Sequence, residues 1–331
     1  MKTVSLNIFN SCVPCHNYCR YCLLSWDNTC LGIEYERSME YARNFYNWLK
    51  MKRKDMNFMY YFGYSMEHPD LLNAIKFMQD TNSPGGEFLQ LDGLKMRSIE
   101  ELRELFCQLK EAGIKMVNFT FYGTKDFHDK FAGRKADYEL MMNSLNIALE
   151  YGIEVEVGIP ILKDNMLLID NLISELPTDR IKLHVFIPHS GGRGKYLQNS
   201  KITVEDYEEL SDNTKKYLNR NLFCTPNEWL NHDISKHNNR ILTLSLLPTN
   251  IDHFENQSFE ETINELEKMD EDYYSVIPDF RSLLEMYANG TDTCLYSKKD
   301  LYMLYRKRYI EENQISIIDM TDERFSNSLR Y

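Results

Sequence analysis

Between Ser11 and Cys22 the chain reads SCVPCHNYCRYC, so four of its eight cysteines stand within eleven residues. Cys15, Cys19 and Cys22 are spaced C-x3-C-x2-C, and Cys12 adds a C-x2-C on the amino side. Thiols crowded on one segment suit metal or redox chemistry. Three thiolates can hold three irons of a 4Fe-4S cube and leave the fourth open to an outside ligand, an arrangement for chemistry rather than for electron transfer alone. The competing assignment is a zinc site from Cys12, Cys15, Cys19 and Cys22, although structural zinc usually pairs two separated C-x2-C knuckles. Cys30, Cys107, Cys224 and Cys294 are scattered, and Cys107 falls inside a helical pattern and reads as core.

The 331 residues are 43% hydrophobic and 27% charged, enough for one large domain or one large and one small. The opening MKTVSLNIFNSC has one Lys and an apolar run broken by Asn7 and Asn10, shorter than a signal peptide or membrane span requires. A cytoplasmic setting is therefore expected, where clustered thiols stay reduced. The formal net charge of −12 argues against a broad phosphate-binding face. The basic runs MKRK (51–54) and RKRY (306–309) read as solvated helix faces.

Short β-rich runs alternate with amphipathic stretches from TVSLNIF (3–9) to RIKLHVFIP (180–188), a βαβ pattern of parallel strands able to curl into a whole or partial barrel. Ser98, with Glu101 three residues on and Gly113 beyond, brackets one of the helices. In such barrels chemistry sits at the carboxyl ends of strands, and the cysteine run follows the first strand. From about residue 200 the texture turns helical, acidic and aromatic, apart from the strand-like RILTLSLLP (240–248). The expected division is a barrel over 1–200 and a substrate-pocket or cap region over 201–331, with a soft boundary.

The run CHNYCRYC resembles the signature of the radical S-adenosylmethionine enzymes, C-x3-C-x-aromatic-C, with Tyr21 at the aromatic position. The resemblance covers roughly residues 1–195 and implies a partial (β/α)6 TIM-like barrel with a mainly helical C-terminal region. It implies that Cys15, Cys19 and Cys22 ligate one 4Fe-4S cluster whose open iron chelates S-adenosylmethionine. Reductive cleavage of that cofactor would give a 5'-deoxyadenosyl radical that abstracts hydrogen from substrate. Tyr21 is then expected near the adenine.

Other segments extend the resemblance. YYFGYSMEHPDLL keeps the family's His68, Pro69, Asp70 and Leu71, but has Phe62, Gly63 and Tyr64 where Gly-Gly-Glu is usual, so Gly63 and Tyr64 are expected to serve the cofactor's ammonium through their backbone. In NFTFYGTKDFHDKFAGRKADYE, Thr120 takes the place of a hydroxyl on the ribose or methionine part, and Arg134 or Lys130 would meet the carboxylate. A solvated turn at Arg134 and Lys135 is the other reading. In VEVGIPILKDN, Gly158 permits close approach and Asn165 reads as a helix cap. HVFIPHSGGRGKYL resembles the Pro-x-x-Gly-Arg segment after the family's last barrel strand, whose glycines and Arg193 would shape a loop over the site or bind a substrate anion; a plain flexible connection is the other reading of the glycines.

No histidine among His68, His128, His184 and His189 is assigned a catalytic role, and the catalytic residues stay unknown. Cys30, Tyr64 and Tyr122 are candidate hydrogen donors by position. The C-terminal region holds too few thiols for auxiliary clusters, so one cluster is expected. With two residues ahead of the first strand, no cobalamin domain is expected. The resemblance further implies an external electron donor, flavodoxin- or ferredoxin-like, and a peptide or small-molecule substrate; nucleic acid and membrane are not expected partners. The alternative from another class is a non-catalytic iron-sulfur or zinc-binding protein that senses redox state.

Overall fold

A computed structural model describes residues 2–8, 15–22, 32–62, 67–232 and 241–316. The first half alternates strand and helix: β1 (Lys2–Ile8), α1 (Tyr35–Lys52), β2 (Met56–Tyr61), α2 (Leu71–Asp80), β3 (Phe88–Gln90) and α3 (Ile99–Glu111). It continues with β4 (Met116–Thr120), α4 (Lys125–Ala132), α5 (Asp137–Glu150), β5 (Glu154–Pro160), α6 (Ile169–Glu175) and β6 (Lys182–Phe186). Then come α7 (Val204–Glu208), α8 (Asp212–Tyr217), β7 (Phe223–Cys224), α9 (Pro226–Asn231) and β8 (Ile241–Leu246). The described residues end with α10 (Ile251–Glu255), α11 (Phe259–Val276), α12 (Phe280–Tyr287), β9 (Tyr296–Ser297) and α13 (Lys298–Glu312).

Two parallel sheets make an open barrel, in the orders β2-β1-β8 and β3-β4-β5-β6. Strand alternation decides which face is dry. Val4, Leu6 and Ile8 of β1, Val117 and Phe119 of β4, and Val155, Val157 and Ile159 of β5 are all buried in one core with Met39, Ala42 and Phe45 of α1. Each of these side chains larger than Ala42 contributes about 1.5–3 kcal/mol on leaving water. The opposite face carries Gln90, Asn118, Thr120, Glu156 and His184, which makes that side of the sheet polar.

β8 adds a strand to the expected six. Thr3 to Ile8 register with Ile241 to Leu246, so residues beyond 200 share a sheet with β1. The rest of the C-terminal part is mainly helical, with a two-stranded antiparallel pair, β7 and β9, and a small core of its own around Trp229, Leu283, Leu284 and Leu301. Among the described residues no helix is long and apolar enough to cross a membrane.

The capping box expected at α3 is present: the Glu101 N–H donates to the Ser98 hydroxyl at 3.2 Å and the Ser98 N–H to the Glu101 carboxylate at 2.8 Å. Two expectations fail. Cys107 is half-buried, its thiol 3.6 Å from the Glu111 carboxylate, because Phe106 takes the core-facing position beside it. Asn165 makes no helix-capping bond with its side chain. Instead it accepts from the Leu162 N–H at 2.7 Å and donates to the Tyr122 and Pro160 carbonyls at 2.7 and 2.8 Å, stapling the ends of β4 and β5 together.

Candidate metal and cofactor site

The cysteine segment 15–22 is held by the loops that follow β3 and β6 and by the last turn of α4. The His16 N–H donates to the Gly93 carbonyl after β3 at 3.0 Å. Tyr18 and Arg20 donate to the Ala132 and Phe131 carbonyls at 2.7 and 3.1 Å, at the end of α4. The Arg193 N–H, after β6, donates to the Cys22 carbonyl at 2.9 Å. The segment is thus fixed over the carboxyl ends of the strands, where a barrel sheet presents its ligands.

Each thiol has a distinct environment. Gly93 passes so close to Cys15 that a Cβ there would stand 2.1 Å from the thiol sulfur, and its φ of +73° is left-handed. Gly93→Ala is therefore expected to expel the Cys15 side chain from its place and to lower iron content by at least half after reconstitution, read by iron and sulfide assay. Burial pushes the Cys15 thiol up to about 11, against a backbone hydrogen bond from Asn17, with the Cys22 charge adding. Burial also pushes the Cys19 thiol well up, and its sulfur lies 3.1 Å from the Tyr122 hydroxyl. Thiols this hard to ionise alone become thiolates when a metal displaces the proton.

Tyr122 and Phe131, with Leu162 and Leu197, form a small apolar cluster on which Cys19 and Tyr21 pack. The Tyr21 ring sits edge-on to Tyr122 at 5.7 Å and close to His189 at 5.7 Å. Burial holds its phenol well above the usual range, and the Asp92 charge adds to this. Thr120 ends β4 with its hydroxyl donating to Asp92 at 2.8 Å and its N–H to the other Asp92 oxygen at 2.9 Å. Gln90 also donates to Asp92, at 2.7 Å. Burial raises the Asp92 carboxyl despite these three donors. Asp92 was not singled out by its sequence context, yet its charge reaches Cys15, Cys19 and Tyr21.

Arg134 is not on a solvated turn. Its guanidinium bonds the Asp137 carboxylate, with Nε at 3.1 Å, and the Leu94 carbonyl beside Gly93. Asp137 is fully buried and also accepts from the Asn17 amide at 2.9 Å and from His128 Nε2 at 3.0 Å. His128 Nδ1 accepts from the Tyr122 N–H at 3.2 Å, which assigns the proton to Nε2. Asp137 therefore links the cysteine segment, Tyr122 and Arg134.

Of the other candidates, Gly63, Tyr64, Cys12 and Cys30 lie outside the described residues. Gly158 makes room for the rings of His184 and Phe186, each 3.1 Å from where its Cβ would be. On the polar sheet face Asn118 donates to Glu156 at 3.2 Å, with His184 Nδ1 3.6 Å from the same carboxylate. His68 accepts from the Asp70 N–H at 3.0 Å and packs on Tyr35 and Phe62. Lys130 is exposed on α4.

The donor set fits an iron-sulfur cube. Three thiols come from one segment and feel one another's charge: Cys22 raises Cys15, and both raise Cys19. Among the described residues no three His, Cys, Asp or Glu side chains close on a single ion. A cube asks for something else, since it takes each thiolate at a separate iron. The Asn17 Oδ1 atom, between Cys15 and Cys19, is buried without a hydrogen-bond partner among the described residues, which marks polar capacity left open at this place.

Comparison with known proteins agrees in kind. A family model described as the radical SAM superfamily matches residues 10–176. An Fe-coproporphyrin III synthase of Methanosarcina barkeri is 27% identical over 111 residues, 33% of this chain and 28% of that protein. An AdoMet-dependent heme synthase of Oleidesulfovibrio alaskensis is 25% identical over 105 residues, 31% of this chain and 27% of that protein. The matched stretch thus spans little more than a quarter of either relative. Among solved structures, a coproporphyrinogen III oxidase from Escherichia coli, described as a radical SAM enzyme, aligns with a TM-score of 0.44 at 9% identity, over 93% of this chain and 90% of that one.

Proposed function

The chain belongs to the radical S-adenosylmethionine superfamily and is an enzyme, and from that premise we propose that Cys15, Cys19 and Cys22 ligate one 4Fe-4S cluster beside which S-adenosylmethionine binds. The observation that carries this is the clasp of one three-thiol segment by the loops after β3 and β6 and the end of α4. When bound, the cluster supplies the electron that cleaves S-adenosylmethionine to methionine and a 5'-deoxyadenosyl radical. Enzyme status removes the alternative of a thiol sensor without turnover.

The residues around the thiols have separate tasks in this reading. Tyr21 offers the adenine an aromatic edge, and Thr120, whose hydroxyl donates to Asp92 and lies beside the Tyr21 phenol, lines the place of the ribose or methionine part. Arg134 acts chiefly through Asp137, since its guanidinium is already bonded there and at Leu94. Tyr122 donates to the Cys19 sulfur, which stabilises the thiolate. The packed rings of Tyr122 and Phe131 keep water from a reactive carbon centre.

The substrate is a peptide or a small metabolite that meets the polar face at Asn118, Glu156 and His184. The names of the two relatives make Fe-coproporphyrin III and heme precursors the first compounds to test. An external one-electron donor, flavodoxin- or ferredoxin-like, completes the cycle. Anaerobically reconstituted, dithionite-reduced protein is expected to give a reduced 4Fe-4S electron paramagnetic resonance signal that changes on adding S-adenosylmethionine, with 5'-deoxyadenosine as product. One bound zinc and no cluster signal would defeat the reading.

A further inference from the structure

The C-terminal region reaches the cysteine segment through one buried carboxylate. Asp300, in the first turn of α13, is 2% exposed and turns its side chain away from its own helix to the loop after β6. It accepts from the Ser190 N–H at 2.6 Å and from the Ser190 hydroxyl at 3.0 Å. It also takes the Lys201 ammonium at 3.0 Å. Lys201 is 1% exposed and donates in turn to the Pro188 carbonyl at 2.6 Å. Two points of the loop, Pro188 and Ser190, are thereby fixed to one charge pair.

Three residues beyond Ser190, the same loop grips the cysteines. Arg193 donates its N–H to the Cys22 carbonyl and its Nε to the Cys19 carbonyl, both at 2.9 Å, and its guanidinium lies 3.7 Å over the Tyr18 ring. The link between the two grips is tight. The Gly194 N–H bonds the Gly191 carbonyl at 2.9 Å, and a Cβ on Gly194 would stand 2.2 Å from the His189 carbonyl oxygen. A loop with so little slack passes a shift at Ser190 on to Arg193.

We propose that Asp300 is a positioning residue for the Cys19–Cys22 turn, acting through Ser190 and Arg193. Its consequence for cofactor binding rests on the function proposed above; its mechanical part does not. The C-terminal region then sets the shape of the cluster loop from a distance, through the loop after β6.

Asp300→Asn removes the charge that holds Lys201 and Ser190, and Arg193→Ala removes the side-chain half of the far grip, the Nε bond to Cys19 and the contact with Tyr18, while leaving the ion pair and the backbone bond to Cys22. Amide hydrogen exchange in residues 15–22, measured on the full chain before iron is loaded, is expected to speed about tenfold in each variant, with residues 116–160 unchanged. The double variant should exchange more slowly than the two single effects multiplied together, because both act on the segment through Arg193. After reconstitution, both single variants should hold as much iron as the parent but need about tenfold more S-adenosylmethionine to change the resonance spectrum.

Unchanged exchange in 15–22 for Asp300→Asn, or effects that add in the double variant, overturns the coupling. Absence of any cluster signal in the parent overturns the proposed function instead, and the exchange result still decides the coupling. If Asp300→Asn does not fold, Ser190→Ala deletes one hydrogen bond of the carboxylate and should give the same pattern at about threefold.

Discussion

Replacing Cys15, Cys19 and Cys22 together by Ala is expected to abolish iron binding and to cut 5'-deoxyadenosine formation by at least about a thousandfold, some 4 kcal/mol of barrier, while leaving the fold in place. No other thiol can substitute nearby among the described residues: Cys107, Cys224 and Cys294 lie on α3, on β7 and just before β9. The fold should survive because segment 15–22 is anchored by its backbone, through the amides of His16, Tyr18 and Arg20, which the substitutions leave intact. Circular dichroism and iron assay on the same samples separate the two effects. Product formation at the parent rate in the triple variant would sink the assignment of these ligands.

Asp137→Ala is expected to destabilise the protein by about 3–5 kcal/mol, the range for a buried charge that loses its partner. That is a large part of the 5–15 kcal/mol typical of a folded domain. Three groups are stranded at once: the Asn17 amide, His128 Nε2 and the Arg134 guanidinium, whose side chain is only 13% exposed. Urea unfolding at pH 7 measures the loss, and a change under about 1 kcal/mol would mean that the network is not needed.

The same carboxylate gives a pH signature. Burial works to raise Asp137, but the hydrogen bond from His128 and the charge of Arg134 outweigh it and hold the group below the usual carboxylate range. A folded value below the unfolded one stabilises fully above the unfolded pKa, near ~4, and the contribution fades as pH falls through the folded value. The parent should therefore lose stability on acidification below about pH 4, and Asp137→Asn should lack that part of the slope.

Much of this was written locally in the chain. The Ser98 to Glu101 box and the alternation in β4 and β5 act over a few residues, so sequence reading reaches them. The cysteine spacing is equally local. The eight-residue helix α4 escaped that reading although Thr124 precedes it and Gly133, at φ +70°, ends it. Asp92 gives no local sign, since it matters only because the register of β3 with β4 brings it to the Thr120 N–H. Arg134 looked like a cation for a ligand; its partner stood three residues on, a helix-turn spacing that could have been counted. The pairing of β8 with β1 and the reach of Asp300 to Ser190 are long-range, and no window of sequence contains both ends.

The placement of β8 also orders events in time. β1 carries the cysteine segment, but one of its edges stays unpaired until the chain from Ile8 to Ile241 has been synthesised. At about 5–20 residues per second that is a wait on the order of tens of seconds on the ribosome, with a sheet edge open to wrong partners. Until then the strand that precedes the cysteine segment is held on one side only, by β2.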